Sequence, residues 1–251
     1  MESLIEQRIE IRLILEPVGP ASEQRLCKEV LLNGIKRCVR DLAGVFNVVM
    51  FLPQDMRIIE GPPEARRRSL DFTLSQADPT YAQTRQEYSK VLSQRNALLK
   101  QLQERNAAQD ELTFWDERIA DLGATLMQSR SVAIKELEEI VADIHNQLTR
   151  DGEHLQLIYQ PSFLPGKQVE NQLGLPMETT VDLSSFSWEK LRTGLRTALH
   201  DTKRQEIHRG MTLLGPHRDD IRFHANAIDL HHYGSRGQNR TAMLATKLAE
   251  A

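Results

Sequence analysis

Tyr233-Gly-Ser-Arg-Gly-Gln-Asn-Arg-Thr-Ala242 is the stretch on which the reading of this sequence turns. It places Ser235 and two glycines directly before Thr241-Ala-Met-Leu-Ala-Thr-Lys-Leu-Ala-Glu-Ala251, a strong helix former. A hydroxyl and free backbone N–H groups at the positive end of a helix suit a phosphate. The plain alternative is an ordinary glycine-containing helix start.

Working back from that loop, Ile221 to Phe223 and Ile228 to Leu230 flank Asn226 and predict a short hairpin, with Ala227 where a two-residue turn prefers glycine. Before it, Gly215-Pro-His-Arg-Asp-Asp220 gathers His217, Arg218, Asp219 and Asp220 on one turn. Such a composition suits metal binding or proton transfer, or it is simply a turn feeding a strand. A kinase catalytic loop is excluded, because His224 stands where that pattern requires Asn.

Further upstream, Leu191, Leu195, Leu199 and Ile207 predict a helix capped by Ser185 or Ser187 and ended by Gly210. His154 to Gln160 reads as a strand, followed by loop around Pro161, Pro165-Gly166 and Gly174 to Pro176. Two apolar stripes at helical spacing come before it. One runs from Tyr81 through Tyr88, Val91, Leu92, Leu98 and Leu99 to Leu102, and the other from Leu112 through Trp115, Ile119, Leu126, Ile134 and Val141 to Leu148, with Asp110 as its N-cap. They predict an antiparallel helical hairpin.

The first part of the chain reads as sheet, with strands at Ile9 to Glu16, Glu29 to Asn33 and Val45 to Phe51. Gly61-Pro62-Pro63 ends it, and Pro63 with Glu64 starts a helix. That helix carries Arg66, Arg67 and Arg68, which on successive positions cannot all face the same way. At least one is expected in an internal ion pair, while a short arginine run is also a means of touching DNA phosphates.

Composition narrows the classes. The 251 residues, 40% hydrophobic, are enough to bury a core. No apolar run approaches the roughly 20 residues needed to cross a bilayer, and the N-terminus has no basic leader, so a cytoplasmic chain without a membrane segment is expected. Cys27 and Cys38, the only cysteines, indicate neither a disulfide framework nor a zinc site. With 32 Lys plus Arg against 35 Asp plus Glu, the net charge of −3 rules out bulk attraction to DNA, leaving only a local patch. No Gly-x-x-x-x-Gly-Lys-Ser/Thr and no apolar strand ending in Asp-Glu occur, so no catalytic residue and no metal ligand are assigned, and the chain alone is not expected to hydrolyse ATP.

Five segments in order carry a family resemblance: Val48-Val-Met-Phe-Leu-Pro-Gln-Asp-Met56, Gly61 to Asp71, Tyr88-Ser-Lys-Val-Leu-Ser-Gln-Arg-Asn-Ala-Leu-Leu-Lys100, Thr212-Leu-Leu-Gly-Pro-His-Arg-Asp-Asp220 and the Tyr233 to Ala242 loop. Together they resemble the RecF family of bacterial DNA replication and repair proteins, which are SMC-like ABC ATPases. The resemblance implies an α/β fold: part of an ATPase head of mixed sheet and helix, with a mainly helical second lobe. Residues 1–75 and 211–251 would belong to the head, and 76–210 to the helical lobe. The family's P-loop would precede Met1 and its Asp-Glu motif would follow Ala251.

By the same resemblance, Ser235, Arg236, Gly237 and Gln238 match the ABC signature, which contacts ATP and its Mg held by the opposite subunit of a dimer. Arg236 stands where the general ABC pattern has glycine. Gln54 falls in a Q-loop-like element, where the family more usually has Glu, and His217, Arg218, Asp219 and Asp220 are grouped with it as head elements. Arg66, Arg67 and Arg68 are the nominated DNA contacts. The implied function is ATP-gated binding to DNA, including single-stranded DNA at gaps, in recombinational repair, replication restart and the SOS response, with RecR as partner and recombinase loading as outcome. Two other classes compete: a helical adaptor with no nucleotide role, and a metal-dependent enzyme built on Gly215 to Asp220.

Overall fold

The computed structural model describes residues 7–17, 24–38, 42, 48–105, 109–150, 152–166 and 182–251. The chain divides into two compact units, Met1–Asn47 and Val48–Ala251. In the first, β1 (Ile9–Pro17), β2 (Gln24–Leu32) and β3 (Ile35–Arg37) form an antiparallel sheet in that order, with Ile9 opposite Leu32 and Leu15 opposite Leu26. Asn33 and Gly34, with φ of 51° and 80°, make the tight turn between β2 and β3. The two strands predicted here exist, β2 starting five residues before Glu29.

In the second unit, α1 (Arg57–Glu60) and α2 (Pro63–Ala77) precede the helical hairpin of α3 (Pro79–Arg105) and α4 (Thr113–Thr149). Pro63 occupies the first helical position of α2, where a missing N–H costs nothing. At 37 residues, α4 is a rod about 55 Å long. Its buried stripe, with Ile119, Leu126, Met127, Ile134 and Val141, belongs to the same core as Tyr88 and Val91 of α3. The Asp110 side chain, predicted as the cap, lies outside the described residues, and the cap position of α4 falls two residues later. A 3-10 turn over Gln109–Leu112 leads straight into α4, and Leu112 occupies the cap position, fully buried, so packing rather than side-chain capping sets this start.

Next come β4 (Leu155–Gln160) and α5 (Trp188–Arg209). Ser187 Oγ accepts the Lys190 N–H at the start of α5, and Gly210, at φ 63°, closes it. Leu191, Leu195 and Leu199 of α5 are fully buried in the same core as the α4 stripe. The loop prediction at Gly174 to Pro176 lies outside the described residues.

β5 (Asp220–Ala225) pairs antiparallel with β4 and with β6 (Ile228–Asp229). Asn226 and Ala227 both adopt positive φ, 49° and 66°, so the tight turn forms without the preferred glycine. Leu230, predicted as strand, instead begins α6 (Leu230–Tyr233), because the Asp229 side chain accepts the His231 N–H and caps a helical turn. The last helix, α7 (Arg236–Ala249), starts five residues before Thr241 and buries Ala242, Met243 and Ala245.

One strand prediction fails among the described residues. Val48 to Phe51 is not a strand, and Val49, Met50 and Phe51 are exposed; an apolar run becomes a strand only where it finds a ladder partner. Residues 45–47 of that prediction lie outside the described set. No helix among the described residues is long and apolar enough to cross a membrane.

Candidate functional site

The start of α7 is organised by Ser235 and Gln238. Ser235 Oγ accepts the Gln238 backbone N–H at 3.2 Å, and Gln238 Oε1 accepts the Ser235 N–H at 2.9 Å, a reciprocal capping box. Asn239 N–H is satisfied by the Ser235 carbonyl at 2.9 Å. The N–H groups of Arg236 and Gly237 have no acceptor within the helix, so they form its open positive end.

Two glycines flank this end for different reasons. A Cβ on Gly234 would overlap the Asn239 amide oxygen and the Leu230 carbonyl, so internal packing requires glycine there. Among the described residues a Cβ on Gly237 would meet only Ser235 Oγ, at 3.9 Å, so none of them asks for glycine. The open N–H groups and the clear space above Gly237 fit a close-approaching anion such as a terminal phosphate.

Residues 53–60 pack under this loop. Gln54 is exposed on the 3-10 turn Pro53–Met56, which lies beside α7. Below it, His231 Nδ1 lies 3.2 Å from the Ile59 carbonyl, and Asn239 Nδ2 donates to Glu60 at 3.1 Å. The structure thus brings the Gln54 segment and the Ser235 loop together. Next to Ser235, Tyr233 projects with 78% exposure.

The Gly215 to Asp220 turn has a different character, because its ionisable groups are mostly turned inward. Asp220 takes two bonds from the Arg66 guanidinium, at 2.7 and 2.8 Å, and a third arginine nitrogen, Arg222 Nε, lies 3.1 Å away. Asp219 is fully buried and accepts from Tyr159 Oη and, at 2.7 Å, from Ser162 N. Burial pushes its carboxyl up from the usual range, against the pull of Arg130.

His217 sits between the Tyr88 hydroxyl, 2.8 Å from Nδ1, and the Thr212 carbonyl, 3.2 Å from Nε2. Those partners define a neutral ring that donates from Nε2 and accepts at Nδ1. Burial, with Arg218, Arg67 and Arg95 nearby, pushes its pKa down to about 4. Gly215, at φ 122°, makes this turn, and a Cβ there would strike Tyr88 Oη at 2.6 Å. Arg218 alone is exposed, donating to the Thr212 carbonyl. These side chains are held by arginines and tyrosines, and no group of three or more His, Cys, Asp or Glu among the described residues could hold a metal ion.

The arginine run is divided as its helical spacing requires. Arg66 is 2% exposed and committed to Asp220, which corrects its nomination as a DNA contact: its fork has no face left for a phosphate. Arg67 is half-buried and donates to the Asp219 carbonyl at 2.6 Å, and Arg68 is exposed.

No protein-family model matches the chain. Among curated proteins, it is 36% identical over 247 residues to the DNA replication and repair protein RecF of Shouchella clausii, covering 96% of this chain and 59% of that protein. It is 37% identical over 233 residues to RecF of Chloroflexus aggregans, covering 88% and 55%. Among solved structures, it superposes on the recombination mediator protein RecF-ATPrS in the RecFOR pathway with a TM-score of 0.77 and 30% identity, over 90% of this chain and 56% of that one. The chain is RecF-like in sequence and in fold.

A second structure, RecF-ATP in the RecFOR pathway, matches with a TM-score of 0.75. The RecF-like chain therefore has the mixed α/β architecture of part of an ABC-type ATPase, and it spans under three fifths of the length of these relatives. Several residues that organise the RecF-like site escaped the sequence reading: Glu153, Asn239 and Glu60 around α7, and Arg95 and Arg130 in the core. For the two arginines a signal existed, since each falls on an apolar helical stripe; for Glu153, in a short polar loop, there was none.

Proposed function

We propose that this chain is part of an ATP-gated, RecF-like DNA-binding protein of recombinational repair, replication restart and the SOS response. Its own share is the ABC signature. Ser235, Arg236, Gly237 and Gln238 reach ATP and Mg held by the P-loop of a second subunit, and bound ATP supplies the anionic terminal phosphate that links the two. The closed homodimer binds DNA, including single-stranded DNA at gaps, recruits RecR and assists recombinase loading in the cytoplasm.

The observation that carries this reading is the open end of α7, where Gly237 has space above it that no described residue uses. In this arrangement residues 1–75 and 211–251 belong to the head, and 76–210 form the helical lobe and a wall of the clamp. Gln54 lies near the nucleotide as a Q-loop-like element. His217, Asp219 and Asp220 serve the head as internal struts, Arg218 remains exposed beside them, and Arg67 and Arg68 are the members of the arginine run left for DNA phosphates.

The test is labelled-DNA binding at two salt concentrations, with and without ATP, by this chain alone and mixed with full-length RecF of Shouchella clausii. Salt dependence reports the phosphate contacts. ATP-dependent binding confined to the mixture, and lost on Ser235→Arg, is the expected result. Binding indifferent to ATP and to Ser235 would overturn the reading in favour of a helical adaptor.

A further inference from the structure

Gln238 does more than close the capping box. Its side-chain Nε2 donates to Glu153 Oε1 at 2.7 Å, so one amide joins Ser235 on one side to a carboxylate 85 residues earlier on the other. Glu153 lies just beyond α4, in the short turn that leads into β4.

That turn is fixed from two further directions. His145, fully buried near the end of α4, has Nδ1 3.3 Å from the Glu153 carbonyl, and its Nε2 lies 3.8 Å from Glu153 Oε2. Asn226, at the β5–β6 turn, accepts the His154 N–H at 2.9 Å through its side chain and donates to the Gly152 carbonyl at 3.4 Å. Its own N–H donates to the His154 carbonyl at 3.0 Å. The carboxylate is therefore carried on a braced turn, whereas Ser235, Arg236 and Gly237 are exposed and held through the capping box and through bonds from Asn239 N–H to the Ser235 carbonyl and from Thr241 Oγ1 to the Gly237 carbonyl, all within α7 and its cap. A carboxylate near a helix N-terminus is also favoured by the helix dipole.

We propose that Glu153 is a positioning residue for the signature: through Gln238 it sets the orientation of Ser235 and of the open N–H groups of Arg236 and Gly237, and couples them to the end of α4. The proposal rests on the signature reading above. Glu153 touches no nucleotide. It acts by reducing the number of orientations the loop samples before a phosphate arrives, so its loss lowers affinity for the ATP-bound partner without removing a direct contact.

The test uses the chain mixed with full-length RecF of Shouchella clausii, with two readouts: ATP-dependent association, and amide hydrogen exchange of the segment 235–239 in the chain alone. Glu153→Ala is expected to weaken association and to speed exchange, each by about tenfold or more, the effect of losing one hydrogen bond to a charged group. Glu153→Gln, which keeps an acceptor, restores both. Gln238→Glu keeps the capping box but sets two carboxylates together, and reproduces the Glu153→Ala defect; the double variant Glu153→Gln with Gln238→Glu recovers, because the donor and acceptor are exchanged.

Unchanged exchange at 235–239 in Glu153→Ala overturns the proposal, as does a Glu153→Gln defect equal to that of Glu153→Ala, which would mark a loss of fold rather than of a tether. If Ser235→Arg leaves association intact while Glu153→Ala still loosens 235–239, the signature reading has failed and the local tether stands.

Discussion

The Arg66 guanidinium meets the Asp220 carboxylate through two bonds of 2.7 and 2.8 Å, joining α2 to the start of β5 across 154 residues of sequence. Arg66 has one other acceptor, the Gly61 carbonyl at 2.7 Å, whereas Asp220 has a second arginine, Arg222, at 3.1 Å. The pair is therefore asymmetric. Asp220→Ala strands a buried guanidinium and is expected to destabilise the chain by about 3–5 kcal/mol, while Arg66→Met, which leaves Asp220 with Arg222, costs visibly less. Urea unfolding of the two variants side by side checks this, and equal losses would contradict it.

The buried neutral His217 makes stability depend on pH in a defined window. Its pKa is pushed down from 6.5 to about 4 in the folded chain, so between those values the unfolded state binds the proton and the folded state does not. The contribution is complete above 6.5, falls as pH drops towards 4, and stays constant below that. From pH 7.5 to pH 5 the loss is about 2 kcal/mol. His217→Gln removes the titration. Urea midpoints at the two pH values should show a larger fall for the native chain than for the variant.

Arg95 predicts the opposite slope. Fully buried, it donates to Asp116 at 2.7 and 2.9 Å, to Glu206 at 2.6 Å and to Thr212 Oγ1 at 2.8 Å. Burial already holds the Glu206 carboxyl above its usual range. Arg95→Met leaves two buried carboxylates facing each other, a loss of about 3–5 kcal/mol at pH 7. A carboxylate whose folded pKa is raised penalises folding above that pKa and not below its unfolded value, so the deficit shrinks as pH falls from 7 towards 5. A deficit that grows over this range would refute the assignment.

Legibility in the sequence followed periodicity. The α3–α4 hairpin, α5 and the β5–β6 turn could be read because their apolar residues repeat at 3.6 or flank a turn. The same stripes contained the polar core. Arg95 falls between Val91 and Leu99, Arg130 between Leu126 and Ile134, and Glu206 four residues after Thr202, all on buried faces. A charge on an apolar stripe signals a buried partner, but not which one, since Asp220, Asp71 and Asp116 come from elements that only the fold brings near. Val48 to Phe51 misled for the converse reason, being apolar without a ladder. At the candidate site, the Ser235 cap was legible as local chemistry, and Glu153 was not, because its partner lies 85 residues away.

The capping box offers a local prediction. Ser235→Ala removes the acceptor for the Gln238 N–H and should cost about 1 kcal/mol of stability, with the exchange of residues 236–239 accelerated. Gly234→Ala, which drives a methyl into the Asn239 amide and the Leu230 carbonyl, should cost more. Thermal melts of the two variants rank them, and the reverse order would show that the loop relaxes freely.

α4 ends at Thr149, four residues before Glu153, and runs unbroken from Thr113. It is gripped by α5 and α7 as well as by α3. The Glu153–Gln238 bond, spanning 85 residues of sequence, therefore moors the first turn of α7 to the far end of an element that the core already immobilises, so the exposed loop at Ser235 borrows its rigidity from that helix.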